Sequence, residues 1–168
     1  DVRAQSGTER IANIIRSIPE DNIINVQGDQ PFISPGAILE MVNYMKEHPQ
    51  YDIVTPIKLH DTNKYDDPSK CKVVVSQSGR AIYFSRSPIP FNGTEYWGHL
   101  GMYGYTNQFL RNYRKLKVSP LETTEKLEQL RFIDNDIRIQ TYKTAHSIFS
   151  VDTEVDLVNA IEHARELI

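Results

Sequence analysis

The side chains best suited to chemistry follow a short apolar run near residue 25. Residues 23–26 are mostly apolar and β-branched, as in a strand that is covered on both faces. Gly28 permits a sharp turn and Pro31 cannot continue a strand ladder, so Gln27 and Asp29 are left at the carboxyl end of the strand. Ligands bind at that edge in open α/β sheets. These residues by themselves favour turn hydrogen bonding by Asp29 over a ligand site, and the rest of the chain reverses that preference.

Four further side chains are candidates for the same site. Arg86 precedes a rigid proline-containing segment, which would hold its guanidinium fork for a carboxylate or phosphate; an ordinary surface arginine is the alternative. His99 and Tyr103 are an even number of positions apart, so in a strand they share a face, either in a site or as a packed core pair. Asp152 lies just outside a helix that Thr153 already caps, which leaves its carboxylate free to face a ligand.

Helix and strand signals alternate in the first third of the chain. Ser6 and Glu9 form a capping box before isoleucines at helical spacing, and the amino end of this helix can also receive a phosphate. Ser34 and Pro35 begin a second helix, and residues 52–59 form a strand. This order predicts a doubly wound α/β fold with a mixed, mostly parallel sheet flanked by helices.

Accessory structure is predicted in the second half of the chain. Residues 71–76 and 81–85 flank a turn and predict a β-hairpin, and residues 99–105 read as one strand with glycines that permit close approach. Ser119 opens a helix that runs through residue 131, and residues 137–142 form a strand. The last helix begins after Thr153, and its inner face is expected to hold Val155, Val158, Ile161 and Leu167.

Composition narrows the class of protein. The 168 residues, with a net charge of −3, predict one domain over residues 1–168 and give no basic stripe that would attract nucleic acid or an anionic membrane. Cys71 is the only cysteine, which excludes an internal disulfide and fits a reducing cytoplasm; we expect it to be a packed strand residue. No apolar run approaches the ~20 residues of a membrane span.

Six motifs occur in an order and spacing that resemble one enzyme family, the 3-deoxy-manno-octulosonate (Kdo) cytidylyltransferases, also called CMP-Kdo synthetases. They are QSGTER at 5–10, NVQGDQP at 25–31, YFSR at 83–86, HLGMYGY at 99–105, LEQLR at 127–131 and VDT at 151–153. The resemblance runs along nearly the whole chain. It implies a Rossmann-like nucleotide-diphospho-sugar transferase fold with the hairpin as a dimerisation or accessory insertion.

The resemblance also implies an activity and its participants. CMP would pass from CTP to the 2-hydroxyl of Kdo, releasing pyrophosphate, for lipopolysaccharide synthesis by a cytoplasmic homodimer. Mg²⁺ would be held by Asp29 and Asp152, whose hard carboxylate oxygens suit that ion. These two residues and Arg86 would be catalytic, with Arg86 meeting the sugar carboxylate. The resemblance assigns the sugar pocket to Gln27, Arg86, His99, Tyr103, Glu128 and Gln129, and the nucleotide to Ser6, Gly7 and Thr8.

Two departures from the family pattern leave alternatives open. The family's first strand and its basic, glycine-containing triphosphate loop are absent, which corresponds to about 70 residues of an enzyme of usual size. The chain is thus expected to be an incomplete domain or to have lost catalysis, and residues 1–4 match only loosely. The alternatives are a cytidylyltransferase for a related acidic sugar of 8-amino-Kdo or sialate type, a non-catalytic sugar-binding or dimerisation module, and a metal-dependent glycosyltransferase.

Overall fold

The computed structural model describes residues 4, 6–61, 65–147, 149–151 and 153–166. The helices are α1 (Gly7–Ile14), α2 (Pro35–Glu47), α3 (Asn107–Asn112), α4 (Pro120–Glu125), α5 (Leu130–Asp134) and α6 (Glu154–Glu166). The strands are β1 (Asn22–Asn25), β2 (Ile53–Asp61), β3 (Lys72–Val75), β4 (Ala81–Ser85), β5 (Glu95–His99), β6 (Tyr103–Thr106) and β7 (Gln140–Lys143). Short 3₁₀ turns follow α1 and α3. Among the described helices, none is long and apolar enough to cross a bilayer.

The strands form one sheet in the order β1-β6-β2-β5-β3-β4, and β7 pairs with β2. The predicted α/β fold with a mixed sheet flanked by helices is confirmed, but its expected mostly parallel character needs correction. Only β2 and β7 pair in parallel among the described strands. The α2 crossover does make β1 and β2 run the same way, yet β6 lies between them and is antiparallel to both. Crossover signals predict strand direction and not which strand is the neighbour.

Helices cover both faces of the sheet. Ile53 belongs to the cluster under α1, α3 and α5, whereas the next residue, Val54, belongs to the cluster under α2. A Cβ on Gly104 of β6 would come within 2.4 Å of Met45 Sδ on α2 and within 2.8 Å of Val54. The sequence predicts that the glycines of this segment admit another backbone or a ligand, but at Gly104 the close atoms belong to side chains of α2 and β2.

The hairpin and the capped helices are confirmed, but residues 99–105 do not form one strand. β3 and β4 pair as predicted around Gly79, whose φ is +77°. The backbone bends at Gly101, with φ +59°, and the register against β2 shifts there, since His99 pairs with Ile57 but Gly104 pairs with Val54; His99 therefore ends β5 and Tyr103 begins β6, and both strands run antiparallel to β2. This positive φ interrupts a ladder that the alternation of residues alone suggests is continuous.

Two helix predictions are corrected. The helix from Ser119 ends at Glu125, because Lys126 adopts a left-handed conformation with φ 55°, and α5 begins only at Leu130. In α6, Val155, Val158 and Ile161 are 69%, 54% and 46% exposed, so they do not form the inner face. The buried residue of α6 is Ala160. The helical spacing of large apolar residues predicted the inner face, but a small side chain allows closer packing than those larger ones do. Leu167 lies outside the described residues.

Candidate functional site

The predicted site residues lie where β1, β4 and β5 end and β6 begins. Ser6, Gly7 and Thr8 begin α1; Gln27 and Asp29 follow β1; Arg86 follows β4; His99 and Tyr103 flank the β5–β6 turn; Glu128 and Gln129 lie between α4 and α5. Asp152 lies outside the described residues. Sequence separation between these segments is large, so only the pairing of the strands brings them together.

The amino end of α1 packs directly against the loop after β1. Ser6 is the N-cap, and its Oγ accepts from the Glu9 backbone N at 3.1 Å. A Cβ on Gly7 would lie 3.2 Å from both Asn25 Nδ2 and Gln27 Oε1. A larger residue would push these two side chains away by a few tenths of an ångström, so glycine favours this contact, which places Gln27 beside the first turn of the helix.

Thr8 contributes to this region through its backbone. The side chain is fully buried, and Oγ1 forms a 2.8 Å hydrogen bond with the Tyr105 hydroxyl. Its hydroxyl is thus committed to the core. Because Glu9 N already donates to Ser6 Oγ, the backbone N–H groups of Gly7 and Thr8 are what α1 offers to an anion.

Asp29 has an exposed carboxylate on an anchored backbone. Its carbonyl oxygen accepts from Val151 N at 2.8 Å, and the neighbouring Gln30 amide donates to the Leu100 carbonyl at 3.2 Å. Val151 immediately precedes Asp152, so the backbone bond ties together the two segments predicted to hold metal. Within the described ranges, no three His, Cys, Asp or Glu side chains are grouped as a metal site.

Glu128 is held by hydroxyl groups from two other elements. Ser6 Oγ donates to Glu128 Oε1 at 2.5 Å, and the Tyr113 hydroxyl donates to the same oxygen at 3.1 Å. Arg131 Nη1 donates to the Tyr113 oxygen at 2.9 Å, and Glu122 accepts two bonds from the Arg131 guanidinium at 2.7 and 2.8 Å. The pKa of Tyr113 is raised, first by burial and then by the Glu128 charge. Ser6 of the predicted nucleotide site thus contacts Glu128 of the predicted sugar pocket.

The hydrogen bonds of His99 specify its tautomer. Thr55 Oγ1 donates its single proton to the Met102 carbonyl oxygen at 2.8 Å, so His99 Nε2 must donate to Thr55 across 2.9 Å. The other ring nitrogen, Nδ1, is then an acceptor. Burial lowers the pKa of His99 to about 3, so the ring is neutral at physiological pH.

Buried Tyr103 and Gln129 and partly buried Cys71 are the other side chains of this region. The ring centroid of Tyr103 lies 5.1 Å from that of His99 and 5.6 Å from the stacked Tyr105 ring. Gln129 Nε2 contacts Cys71 Sγ at 3.5 Å. Burial raises the pKa of Cys71 to about 12, so the thiol stays neutral and is a packing residue.

Arg86 is held in place mainly by main-chain oxygens. Its guanidinium donates to the carbonyl groups of Pro68, Glu125 and Lys126 at 2.9, 3.2 and 3.5 Å. The Glu125 carboxylate instead accepts from the Arg86 backbone N at 3.0 Å, and buried Lys72 donates from Nζ to the Arg86 carbonyl at 2.7 Å. In the part of the chain that the structure describes, the guanidinium forms no ion pair. Its charge is therefore uncompensated and suited to an anionic group.

A groove of about 470 Å³ lies elsewhere, between α2 and β7, lined by residues that include Glu40, Tyr44 and Tyr142. It contains none of the predicted site residues. The predicted site residues that the structure describes lie instead on the loops and helix ends described above.

Comparison with known proteins identifies the family. A profile of the family described as Cytidylyltransferase matches residues 1–139. The chain is 42% identical over 171 aligned residues to 3-deoxy-manno-octulosonate cytidylyltransferase from Rickettsia prowazekii (strain Madrid E), covering 99% of this chain and 69% of the relative. The chain belongs to the Kdo cytidylyltransferase family. The enzyme of that name from Rickettsia akari (strain Hartford) is 40% identical, with 96% of this chain and 67% of the relative covered.

Solved structures agree with membership in the Kdo cytidylyltransferase family. A CMP:2-keto-3-deoxy-manno-octonic acid synthetase complexed with CTP superposes with a TM-score of 0.91 at 33% identity, over 99% of this chain and 70% of that chain. A glucose-1-phosphate thymidylyltransferase described as putative, from Bacillus anthracis, has a TM-score of 0.65 at 16% identity, over 97% of this chain and 62% of that one, and supports the fold alone. The chain spans about two thirds of the length of its curated relatives.

Sequence reasoning missed three side chains that organise this Kdo cytidylyltransferase site. Tyr113 follows Phe109 and Leu110 at helical spacing, which indicates a buried position but no polar role. Arg131 is part of the LEQLR motif, but its bond to Glu122 nine positions earlier is not a spacing that brings side chains together on one helix. Thr55, which sets the His99 tautomer, is an ordinary strand residue in the sequence. The sequence therefore gave no signal for the hydrogen bonds that these three side chains make.

Proposed function

We propose that this chain forms the sugar-acid pocket, and part of the nucleotide site, of an enzyme that transfers CMP from CTP to the 2-hydroxyl of Kdo and releases pyrophosphate. The observation that carries the proposal is the bond between Ser6 and Glu128. It joins the amino end of α1, which suits a phosphate, to the pocket expected to bind the sugar acid. Family membership supports the same reaction.

Arg86 is proposed to bind the carboxylate of the sugar acid. Its guanidinium is oriented by three carbonyl groups and has no ion-pair partner among the described residues, so a substrate carboxylate would compensate its charge. Hydrogen bonds between charged groups are the strong ones, and a fork held at a fixed angle selects a planar carboxylate. Recognition by Arg86 accounts for an acidic rather than a neutral sugar.

His99 is proposed to accept a hydrogen bond from a sugar hydroxyl. Its Nε2–H is used by Thr55, which leaves the Nδ1 lone pair for the ligand. Because its pKa is about 3, the ring stays neutral and acts as a fixed acceptor. Tyr103, Gln129 and Gln27 are proposed to supply the remaining contacts to the sugar, and Glu128 lies at its boundary with the nucleotide.

Magnesium is proposed as the cofactor, bound through Asp29 and Asp152. The exposed Asp29 carboxylate is a hard oxygen ligand, and the Val151–Asp29 backbone bond keeps the two segments adjacent, so the residues fit the ion. When bound, Mg²⁺ would neutralise phosphate charge as the 2-hydroxyl oxygen of the sugar attacks the α-phosphorus of CTP and pyrophosphate leaves. A cytoplasmic homodimer with the β3–β4 hairpin at its interface remains part of the proposal.

The proposal is tested by incubating the protein with CTP, Mg²⁺ and one of three sugar acids: Kdo, 8-amino-Kdo or a sialate. Pyrophosphate release and the mass of the CMP-sugar are measured together, and an omission of the sugar controls for CTP hydrolysis. We expect the fastest turnover with Kdo. Faster turnover with another sugar acid would show that this acid, and not Kdo, is the preferred substrate. If calorimetry detects binding of the sugar but not of CTP, and no pyrophosphate is released, the chain would instead be a binding module.

A further inference from the structure

The orientation of Glu128 depends on groups that are distant in sequence. Glu128 lies in the turn between α4 and α5, outside both helices, so helical hydrogen bonds do not fix it. Oε1 accepts from Ser6 on α1 and from Tyr113 in the 3₁₀ turn after α3. A carboxylate with two directed donors has far fewer accessible orientations than one in a solvated turn.

Tyr113 is itself oriented by a second pair of side chains. Its hydroxyl has one proton, and because Arg131 Nη1 donates to the hydroxyl oxygen at 2.9 Å, that proton is directed to Glu128. The Arg131 guanidinium lies 5.4 Å from the centroid of the Tyr113 ring and is fixed by a two-bond contact with Glu122. Tyr113 is only 2% exposed, so the phenol cannot turn to water.

We propose that Tyr113 is a positioning residue that holds Glu128 in the orientation needed to bind the sugar acid, and that Arg131 and Glu122 act through it. This inference rests on the proposed function, since it assigns the sugar acid to the Glu128 pocket. A carboxylate that is already oriented loses less freedom when the ligand arrives. Affinity for the sugar acid therefore depends on a hydroxyl that does not touch it.

The test is Tyr113→Phe, made both in the natural protein and in a Glu128→Ala background, which removes the acceptor of the Tyr113 hydroxyl. With Glu128 present, KM for the sugar acid should rise about tenfold, the factor expected for losing one hydrogen bond to a charged group. In the Glu128→Ala background the same substitution should change that KM by less than about twofold, because residues acting through one group are non-additive. An equal rise in both backgrounds would show a general structural role and overturn the inference.

Tyr142→Phe is the matched control. Tyr142 is also a buried tyrosine, its hydroxyl has no hydrogen-bond partner among the described residues, and it lies outside the site. KM for the sugar acid should stay unchanged in this variant. Arg131→Lys is a second test, since it keeps the phenol but loses the fork bound to Glu122, and it should also raise KM for the sugar acid.

Unfolding measurements separate failure of this inference from failure of the proposed function. Absence of any CMP-sugar product from the natural protein would contradict the proposed function. The unfolding equilibrium constants of the natural protein, the two single variants and the double variant still test whether Tyr113 holds Glu128. Deviation from multiplicativity by about fivefold or more would support the contact, and multiplicative constants would overturn it.

Discussion

At the scale of single residues, the charged side chains of the candidate site differ in how firmly they are held. Glu128 is held by Ser6 and Tyr113, and the Arg86 guanidinium is held by carbonyl groups. Asp29 is exposed, and only its backbone is anchored. This contrast suits a site that binds the sugar acid through pre-oriented groups and leaves one carboxylate accessible for a metal and phosphates.

Asp29→Asn should lower turnover by about 10²-fold or more, because it removes a negative metal ligand that acts on charge in the transition state. Asp21→Asn is the control, since Asp21 is an exposed carboxylate that precedes the opposite end of β1. Turnover is measured as pyrophosphate release at saturating CTP and sugar acid while Mg²⁺ is varied. A rate close to that of the natural protein at saturating Mg²⁺ would contradict the role of Asp29.

Arg86→Lys should raise KM for the sugar acid by about tenfold while leaving KM for CTP nearly unchanged. Lysine keeps the charge but cannot form two parallel bonds to a carboxylate, nor reproduce the contacts to Pro68 and Lys126. Steady-state kinetics with each substrate varied in turn measures the split, with Arg80→Lys in the hairpin as the control. A larger effect on CTP would place Arg86 at the phosphates instead.

His99 should make the protein less stable at acidic pH. Folding lowers the pKa of His99 from 6.5 to about 3. Between these pH values His99 is therefore protonated in the unfolded chain but stays neutral in the folded protein. The free energy of unfolding should then fall by up to about 1.4 kcal/mol per pH unit between these values, and below pH 3 the slope vanishes while the accumulated loss of stability remains. His99→Asn should flatten the slope in urea titrations from pH 7 to pH 4. An unchanged slope would mean that other groups set it.

At the scale of elements, the helix α2 packs closely against strand β6. Met41 and Met45 on α2 are buried over β6, and Gly104 leaves them room. The N-cap bond from Ala37 N to Ser34 Oγ, at 3.2 Å, begins this helix as the sequence predicts. Packing of α2 against β6 thus supports the β5–β6 turn, where His99 and Tyr103 are presented.

Gly104→Ala should destabilise the protein by about 1–3 kcal/mol, the usual cost of overpacking a core. The new methyl would collide with Met45 Sδ and Val54 Cγ2, and neither neighbour is at the surface. Gly28→Ala is the control, since a Cβ there meets nothing within 4 Å and φ is not positive. Urea unfolding of both variants measures the difference. Equal stability would show that α2 can shift away from β6 at no cost.

At the scale of the whole molecule, the centre of the sheet is well buried, whereas its edge strand β4 and the helix α6 have fewer partners. β2 pairs with β5, β6 and β7, and residues 53–57 in it are buried. β4 has a single partner, and α6 has Ala160 as its only buried residue among those described. Stability is therefore expected to be distributed unevenly across the fold.

Amide hydrogen exchange should be slowest in β2 and β6 and faster in β4 and α6. An amide in the centre of the sheet opens only when several strands separate, whereas an edge strand or a thinly packed helix opens locally. Exchange followed by mass spectrometry of peptides at neutral pH measures the order. Protection of α6 equal to that of β2 would show that its exposed Val155, Val158 and Ile161 are covered in solution.

Local sequence signals were enough to predict the family, the helix caps and the hairpin. Ser6, Ser34 and Thr153 accept or exchange hydrogen bonds within three residues of themselves, so their roles depend on neighbours that the sequence shows directly. The same holds for the turn at Gly79. The six ordered motifs likewise predicted family membership before any contact was known, because they are patterns along the chain.

Tertiary structure alone decided how these elements meet. The insertion of β6 between β1 and β2 depends on pairing with strands that are distant in sequence, and the burial of Ala160 depends on contacts outside α6. The bond from Ser6 to Glu128 spans 122 positions, and no local pattern predicts the bond from Tyr113 to the same carboxylate. Caps and turns are determined by interactions over a few residues, whereas strand order and buried polar contacts depend on which surfaces pack together. That is why the sequence determined the residue types at this site and the fold determined their partners.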